Sequence, residues 1–306
     1  MDPLVSIVIS LFDKEDFIVQ AVRSALDQSY TNIEVIVVDD GSTDRSLQRL
    51  MEVSDPRWRL ITHSGAGKPR PAACKNRGYQ LAKGEFVAFL DADDVWAQSK
   101  LETHVRALMA DSSACLAYSL TTWIDVAGRT ICTESPYDPA PDWYSMLLLE
   151  GNILRSGSNA VHRRSMLSDT ECFDSSFESA SDWDLYLRLA RDHSFCLVSE
   201  PLVMYRVSES QHSLDLAKME RSILRIVERE YGKPPASLLP KSHRQQCLRT
   251  CYGYLRRQCM RKLRNPHTTM SRLPESLIVL AHSLLHGSSP VKTQDARTPA
   301  DSACRF

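Results

Sequence analysis

The sequence predicts an α/β fold: a mixed, mainly parallel sheet flanked by helices, with a helical extension at the C-terminus. Three observations carry this. Short apolar, largely β-branched runs at 5–9, 33–38, 58–61 and 86–90 have the length and composition of buried strands. Segments with apolar residues at i, i+3 and i+4 separate the first of them, the mark of amphipathic helices. That alternation of strand and helix demands crossovers and therefore parallel neighbours, whereas the shorter strands after residue 114 make the second half mixed.

In order, the strand 5–9 ends in Ser10-Leu11-Phe12-Asp13, and the helix within 16–29 carries Phe17, Ile18, Ala21, Val22, Ala25 and Leu26 on one face. The strand 33–38 stops at Asp39-Asp40-Gly41-Ser42-Thr43-Asp44, where Ser42, Thr43 or Asp44 can cap a helix over 45–53. A short strand at 58–61 and a loop at 63–70 precede a helix at 71–82 that bears Lys75, Asn76 and Arg77. After the strand 86–90 come a helix from residue 99, a strand at 114–118 and a hairpin over 124–133. A helix at 143–149, a strand at 157–164 and a helix at 181–190 follow. Two short strands at 196–198 and 202–206 lead to a helix at 214–231.

The strand 86–90 runs directly into Asp91-Ala92-Asp93-Asp94. A strand interior cannot hold three carboxylates, because desolvating each costs several kcal/mol, so they lie past its C-terminal end, where open α/β sheets bind ligands. Residues two apart on extended backbone point the same way. Asp91 and Asp93 therefore face one ligand while Asp94 turns aside as a brace. Clustered carboxylate oxygens suit Mn²⁺ or Mg²⁺. Ser10, Asp40 and Asp91, each at a strand end, should gather along one rim.

A net charge of −1 over 306 residues gives no pull toward nucleic acid. The nine cysteines include no Cys-x-x-Cys and no zinc spacing, which predicts free thiols in a reducing, cytoplasmic setting. The N-terminus has no secretory pattern, and the longest apolar run, 277–285, is too short to span a bilayer. Past Tyr231 the chain turns basic, with no acidic residue before Pro274, and Cys247, Cys251, Leu255, Cys259 and Leu263 form an apolar stripe at i+4 steps. The domain reading is a catalytic unit over 1–231, a basic helical extension over 232–286 able to touch a membrane surface peripherally, and a tail over 287–306 whose composition predicts disorder.

These motifs, in this order, resemble family 2 inverting glycosyltransferases of the GT-A (Rossmann-like) fold. The opening strand with Ser10-Leu11-Phe12-Asp13 resembles the family's first signature, and Val37-Val38-Asp39-Asp40-Gly41-Ser42-Thr43-Asp44 its second. Ala73-Cys74-Lys75-Asn76-Arg77-Gly78 has Lys75 where the family has Arg, Leu90 to Asp94 match the metal motif, and Ser181-Asp182-Trp183-Asp184-Leu185 has Ser181 in place of Glu. The resemblance covers residues 4 to 213. It implies a nucleotide-diphosphate sugar donor, with UDP as the default nucleotide, and a glycan or lipid-linked acceptor. Ser10, Leu11, Asp13, Asp40, Lys75 and Asp91 would bind the nucleotide sugar, Asp93 and Asp91 would hold Mn²⁺ or Mg²⁺, and Asp182 would be the general base. The family's metal- or diphosphate-contacting His after Tyr205-Arg206 is absent at Ser208, so either His212 takes that role through a shifted loop or the contact is missing.

Two alternatives stay open. The changes at Lys75, Ser181 and Ser208 would suit a catalytically silent sugar-nucleotide-binding module. A sugar-phosphate nucleotidyltransferase would need a glycine-rich basic loop after the first strand, and Leu11 to Glu15 provide none. His162, Arg163 and Arg164 are equally readable as an anion contact or as surface.

Overall fold

The computed structural model describes residues 2–62, 70–138, 142–168, 172–208, 215–233 and 239–263. Its centre is a nine-stranded sheet. β1 (Val5–Leu11), β2 (Ile33–Asp39), β3 (Trp58–Thr62) and β4 (Phe86–Asp91) form a parallel half in the order β3-β2-β1-β4. β6 (Ala114–Ile124), β8 (Val161–Arg163) and β9 (Ser194–Arg206) continue it. β8 runs antiparallel between β4 and β6, and β9 lies parallel to β6. β7 (Thr130–Thr133) forms the expected hairpin with β6, and β5 (Val95–Trp96) pairs antiparallel with β9.

Alternate strand residues feed two cores. Val5, Ile7, Ile9 and Leu11 of β1 face α1 (Ile18–Leu26), α2 (Ser46–Leu50) and α4 (Lys100–Ala110). Val8 faces the opposite layer, made by α3 (Pro71–Leu81), α5 (Trp143–Glu150), α6 (Ser181–Leu189), α7 (Leu216–Tyr231) and α8 (Lys241–Leu263). Each fully buried aliphatic side chain contributes about 1.5–3 kcal/mol relative to exposure, so this strict alternation fixes the register of β1. α3 starts at Pro71, whose missing N–H costs nothing at a first helical position. It lies tightly on β1: a Cβ on Gly78 would stand 2.2 Å from Val8 Cγ1, so only glycine permits the approach.

Three details differ from expectation. The two strands predicted at 196–198 and 202–206 are one strand, β9. Pro201 stands opposite Leu120 where the register slips, so the bulge accommodates a residue that cannot donate to the ladder. β5 was not foreseen, since two residues carry no period. His162 and Arg163 are structural: the His162 ring is fully buried, stacks 6.2 Å from Tyr186 and is pushed down to about 4 by burial. The Arg163 guanidinium donates to the carbonyls of Leu108 and Ala114. No helix among the described residues is long and apolar enough to cross a membrane.

Candidate active site

Register brings the strand ends together. Ser10 is paired with Asp91 across β1 and β4, and Leu11 with Asp39 across β1 and β2. Beyond them opens a cavity of about 910 Å³. Ser10, Leu11, Asp13, Asp40, Lys75, Asp91, Asp93 and Asp182 all line it, so the sequence-predicted positions converge. The exception is His212, which lies outside the described residues, as does the tail over 287–306.

The two adjacent aspartates after β2 have separate tasks. Asp39 accepts hydrogen bonds from the N–H groups of Gly41 and Ser42 and so shapes the turn. Asp40 is nearly fully buried, and its Oδ2 accepts from the Arg70 N–H. Its Oδ1 is buried with no partner among the described residues. A buried acceptor without a donor costs about 1–3 kcal/mol, and this one belongs to a residue of the cavity wall. Asp13, at a left-handed φ of 46°, also lines the cavity but turns its Oδ1 to the N–H groups of Thr43 and Asp44. It locks the loop after β1 to the loop after β2.

The acidic loop is held just as tightly. Lys75 Nζ lies 2.7 Å from Asp91 Oδ1, which also accepts from Ser10 Oγ at 3.2 Å. Burial works against both charges of that pair, but their mutual attraction outweighs it: Lys75 is shifted up and Asp91 down. Asp93 forms an ion pair at 2.9 Å with Lys14, a residue the sequence reading passed over. Asp94 is the brace that was expected, accepting from Ser158 Oγ at 2.6 Å and from the Arg206 N–H at 3.0 Å. Burial, then the charges of Asp93 and Asp91, push its carboxyl well up. The buried Arg206 side chain donates to the carbonyls of Asp93, Asp125 and Val126 and to Gln20 Oε1, and stacks over Phe17.

Asp182 sits in the first turn of α6, where the helix dipole favours a carboxylate. The turn is set by Ala180 at φ 57°, a left-handed conformation that strains a residue with a Cβ. Asn152 Nδ2 donates to Asp182 Oδ2 at 2.8 Å and the Trp183 N–H donates to Oδ1 at 2.9 Å. Burial raises the Asp182 carboxyl, with Lys75 opposing. Gly157 separates the two: a Cβ there would lie 2.9 Å from Lys75 Nζ and 3.9 Å from Asp182 Cβ. Asn152, Gly157 and Lys14 had no local sequence signal, because their importance comes only from what they meet in space.

Among the described residues no cluster of three or more Asp, Glu, His or Cys side chains is arranged to cage a metal. Asp93 nonetheless fits a divalent ion of the kind that takes one or two carboxylates and fills its shell from phosphate and water, and the Lys14 ammonium already stands against it as a cation.

A parallel half-sheet ending in an acidic loop over an open cavity, with a helix presenting a carboxylate to the same cavity, is the GT-A arrangement. The family model described as Glycosyl transferase family 2 matches residues 6–167, just over half of the chain, and the protein belongs to that family. An uncharacterized glycosyltransferase of Haemophilus influenzae is 31% identical over 167 residues, which are 54% of this chain and 64% of that protein, slightly under two thirds of its length. The Escherichia coli UDP-Glc:alpha-D-GlcNAc-diphosphoundecaprenol beta-1,3-glucosyltransferase WfgD is 28% identical over 216 residues, 69% of this chain and 80% of the relative. The fold is also similar to that of the mannosyltransferase PcManGT from Pyrobaculum calidifontis in complex with GDP-Man and Mn²⁺. That match has a TM-score of 0.60 and 16% identity, covering 94% of this chain and 81% of the other.

Proposed function

We propose that this protein transfers a sugar, with inversion, from a nucleotide-diphosphate sugar to a hydroxyl of a glycan or lipid-linked acceptor. The observation that carries this reading is convergence: Asp40, the Asp91/Asp93 pair and Asp182, from three separate segments, line one cavity. In this reading Asp40 Oδ1 accepts from the nucleobase, beside Ser10 and Leu11, with Asp13 holding the pocket's loops in place. UDP is the favoured nucleotide because UDP-Glc is the donor in the name of the E. coli relative. Lys75 and Lys14 lie beside the diphosphate.

Asp182 takes the proton of the acceptor hydroxyl. The oxygen then attacks the anomeric carbon on the face opposite the diphosphate, and the electron pair of the breaking C–O bond leaves with the diphosphate. A positioned base contributes roughly 10²–10⁴-fold, and a carboxylate raised by burial is the stronger base. Glu134 and Glu178 also line the cavity, but each is already ion-paired, with Arg155 and Arg221 respectively. Asp93, with Asp91 and His212 as further candidates, would hold Mn²⁺ or Mg²⁺. The ion when bound supplies electrostatic stabilisation of the leaving diphosphate. We place the enzyme in the cytoplasm, with the basic C-terminal segment able to touch an anionic membrane peripherally.

A mass-spectrometric screen for released nucleoside diphosphate, with Mn²⁺ or Mg²⁺, a donor panel and a broad acceptor panel, tests this. Turnover with one donor class, lost in Asp93→Ala, is expected. Tight donor binding with no turnover on any acceptor would return the silent binding module, and no donor binding at all would refute both.

A further inference from the structure

The donor residues supply only part of the cavity wall. Other parts come from the β6–β7 hairpin, the loop after α5, the end of β9, the region of α6 and α7, and α8, which supplies Thr250, Cys251, Tyr254, Arg257 and Gln258. The sequence dictates that placement. Cys247, Cys251 and Leu255 form the buried stripe that seats α8 against α5 and α7. With that stripe turned inward, the adjoining row at 250, 254, 257 and 258, also spaced at i+3 and i+4, faces the cavity.

Four cations line the cavity: Lys14, Lys75, Arg155 and Arg257. The first three are each committed to a carboxylate, Asp93, Asp91 and Glu134 respectively. Arg257 has no carboxylate partner among the described residues and stays exposed. It also stands on a helix with seven Lys and Arg and no Asp or Glu, so the local potential favours an anion. Trp123, Trp183 and Tyr254 line the same space. Aromatic faces beside a guanidinium suit a saccharide carrying a negative charge.

Resting on the glycosyltransferase reading, we propose that this α8 wall is the acceptor subsite and that Arg257 selects an acceptor with a phosphoryl or carboxylate group next to its sugar. At about 910 Å³ the cavity is near the upper end of the roughly 300–1,000 Å³ usual for small-molecule sites, room for a donor and the head of an acceptor together.

Binding to the full-length protein, saturated with UDP, is measured by calorimetry for three probes. These are N-acetylglucosamine joined to an undecyl chain through a diphosphate, the same sugar joined directly, and an undecyl glucuronide. The expected result is that an anionic probe binds about tenfold more tightly than the neutral one. Arg257→Ala should erase that ratio, Arg257→Lys should keep part of it, and UDP affinity should not move. Whichever anionic probe shows the preference identifies phosphate or carboxylate as the group read. A ratio unchanged in Arg257→Ala overturns the proposal. So does loss of sedimentation with anionic vesicles in that variant while the ratio persists, which would make Arg257 a membrane contact. Failure of UDP to bind wild-type protein would instead overturn the glycosyltransferase reading beneath it.

Discussion

α6 separates two regions that are equally dense in charge and opposite in design. On its cavity side are Asp182, Lys75 and Asp91, all lining the cavity. On its inner side Asp184 and Glu230 are fully buried among Arg188, Arg191 and Arg229. Asp184 Oδ2 meets Arg188 at 3.0 Å, and Glu230 accepts from Tyr144, Arg191 and Arg229 at 2.6–2.8 Å. In the inner cluster each carboxylate is ion-paired, Asp184 with Arg188 and Arg229 and Glu230 with Arg191 and Arg229, although Asp184 Oδ1 accepts no hydrogen bond among the described residues. The cavity side leaves Asp40 Oδ1 unmatched and raises Asp182. Saturated charge is architecture, and unsaturated charge facing a cavity is chemistry.

Asp182→Asn breaks the cavity side most directly. The transfer rate should fall by about 10²–10⁴-fold, while the melting temperature stays level or rises slightly, since burial disfavours this carboxylate in the folded state. In the wild type, kcat/KM should decline with acid on a limb lying above the ordinary carboxylate range, because the base must be ionised and its carboxyl is raised. A limb at or below the ordinary carboxylate range would remove Asp182 from the role.

Glu230→Ala attacks the inner side and should do the reverse. Stripping one partner from a buried charge cluster costs about 3–5 kcal/mol, read as a lower denaturation midpoint, with turnover per folded molecule retained. Burial works against the Glu230 carboxylate, but Tyr144 and the arginines outweigh it and hold it below its usual range. Its stabilisation is therefore complete at neutral pH and fades as pH falls through that depressed value, so the variant should also show a flatter acid-unfolding curve.

Smaller changes sharpen the contrast. Gly157→Ala intrudes on Lys75 Nζ and should raise the donor Kd by about tenfold, on the scale of one charge-assisted hydrogen bond, without altering the acid limb. Lys14→Met uncovers Asp93. Manganese affinity, followed by electron paramagnetic resonance without substrate, should tighten about three- to tenfold because a competing cation is gone. Weaker binding would mean that Lys14 supports the ion rather than standing in for it.

The parts of the molecule that announced themselves were those in which a local pattern and the global fold agree. β2 and β4 are apolar runs that end in aspartates, β1 is one followed two residues later by Asp13, and both halves of that pattern are visible along the chain. Asp182 was visible because it opens an amphipathic helix within a five-residue motif. β5 and the continuity of β9 through Pro201 were hidden, because a two-residue strand has no period and a bulge is set by the neighbouring strand. Lys14, Asn152 and Gly157 were hidden for a different reason: each acts on a partner at least 25 positions away in sequence. The stripe at 247, 251 and 255 was legible, but that its neighbouring row lines the cavity was not, since that depends on where α5 and α7 receive it.

Arg206 joins four otherwise independent stretches: helix α1 through Gln20, the acidic loop through Asp93, the hairpin tip through Asp125 and Val126, and its own strand. The acidic loop is thus mechanically stiff, like a beam bolted at several points. A force on the acidic loop is therefore shared with α1, the hairpin tip and the end of β9, so that loop cannot drift alone.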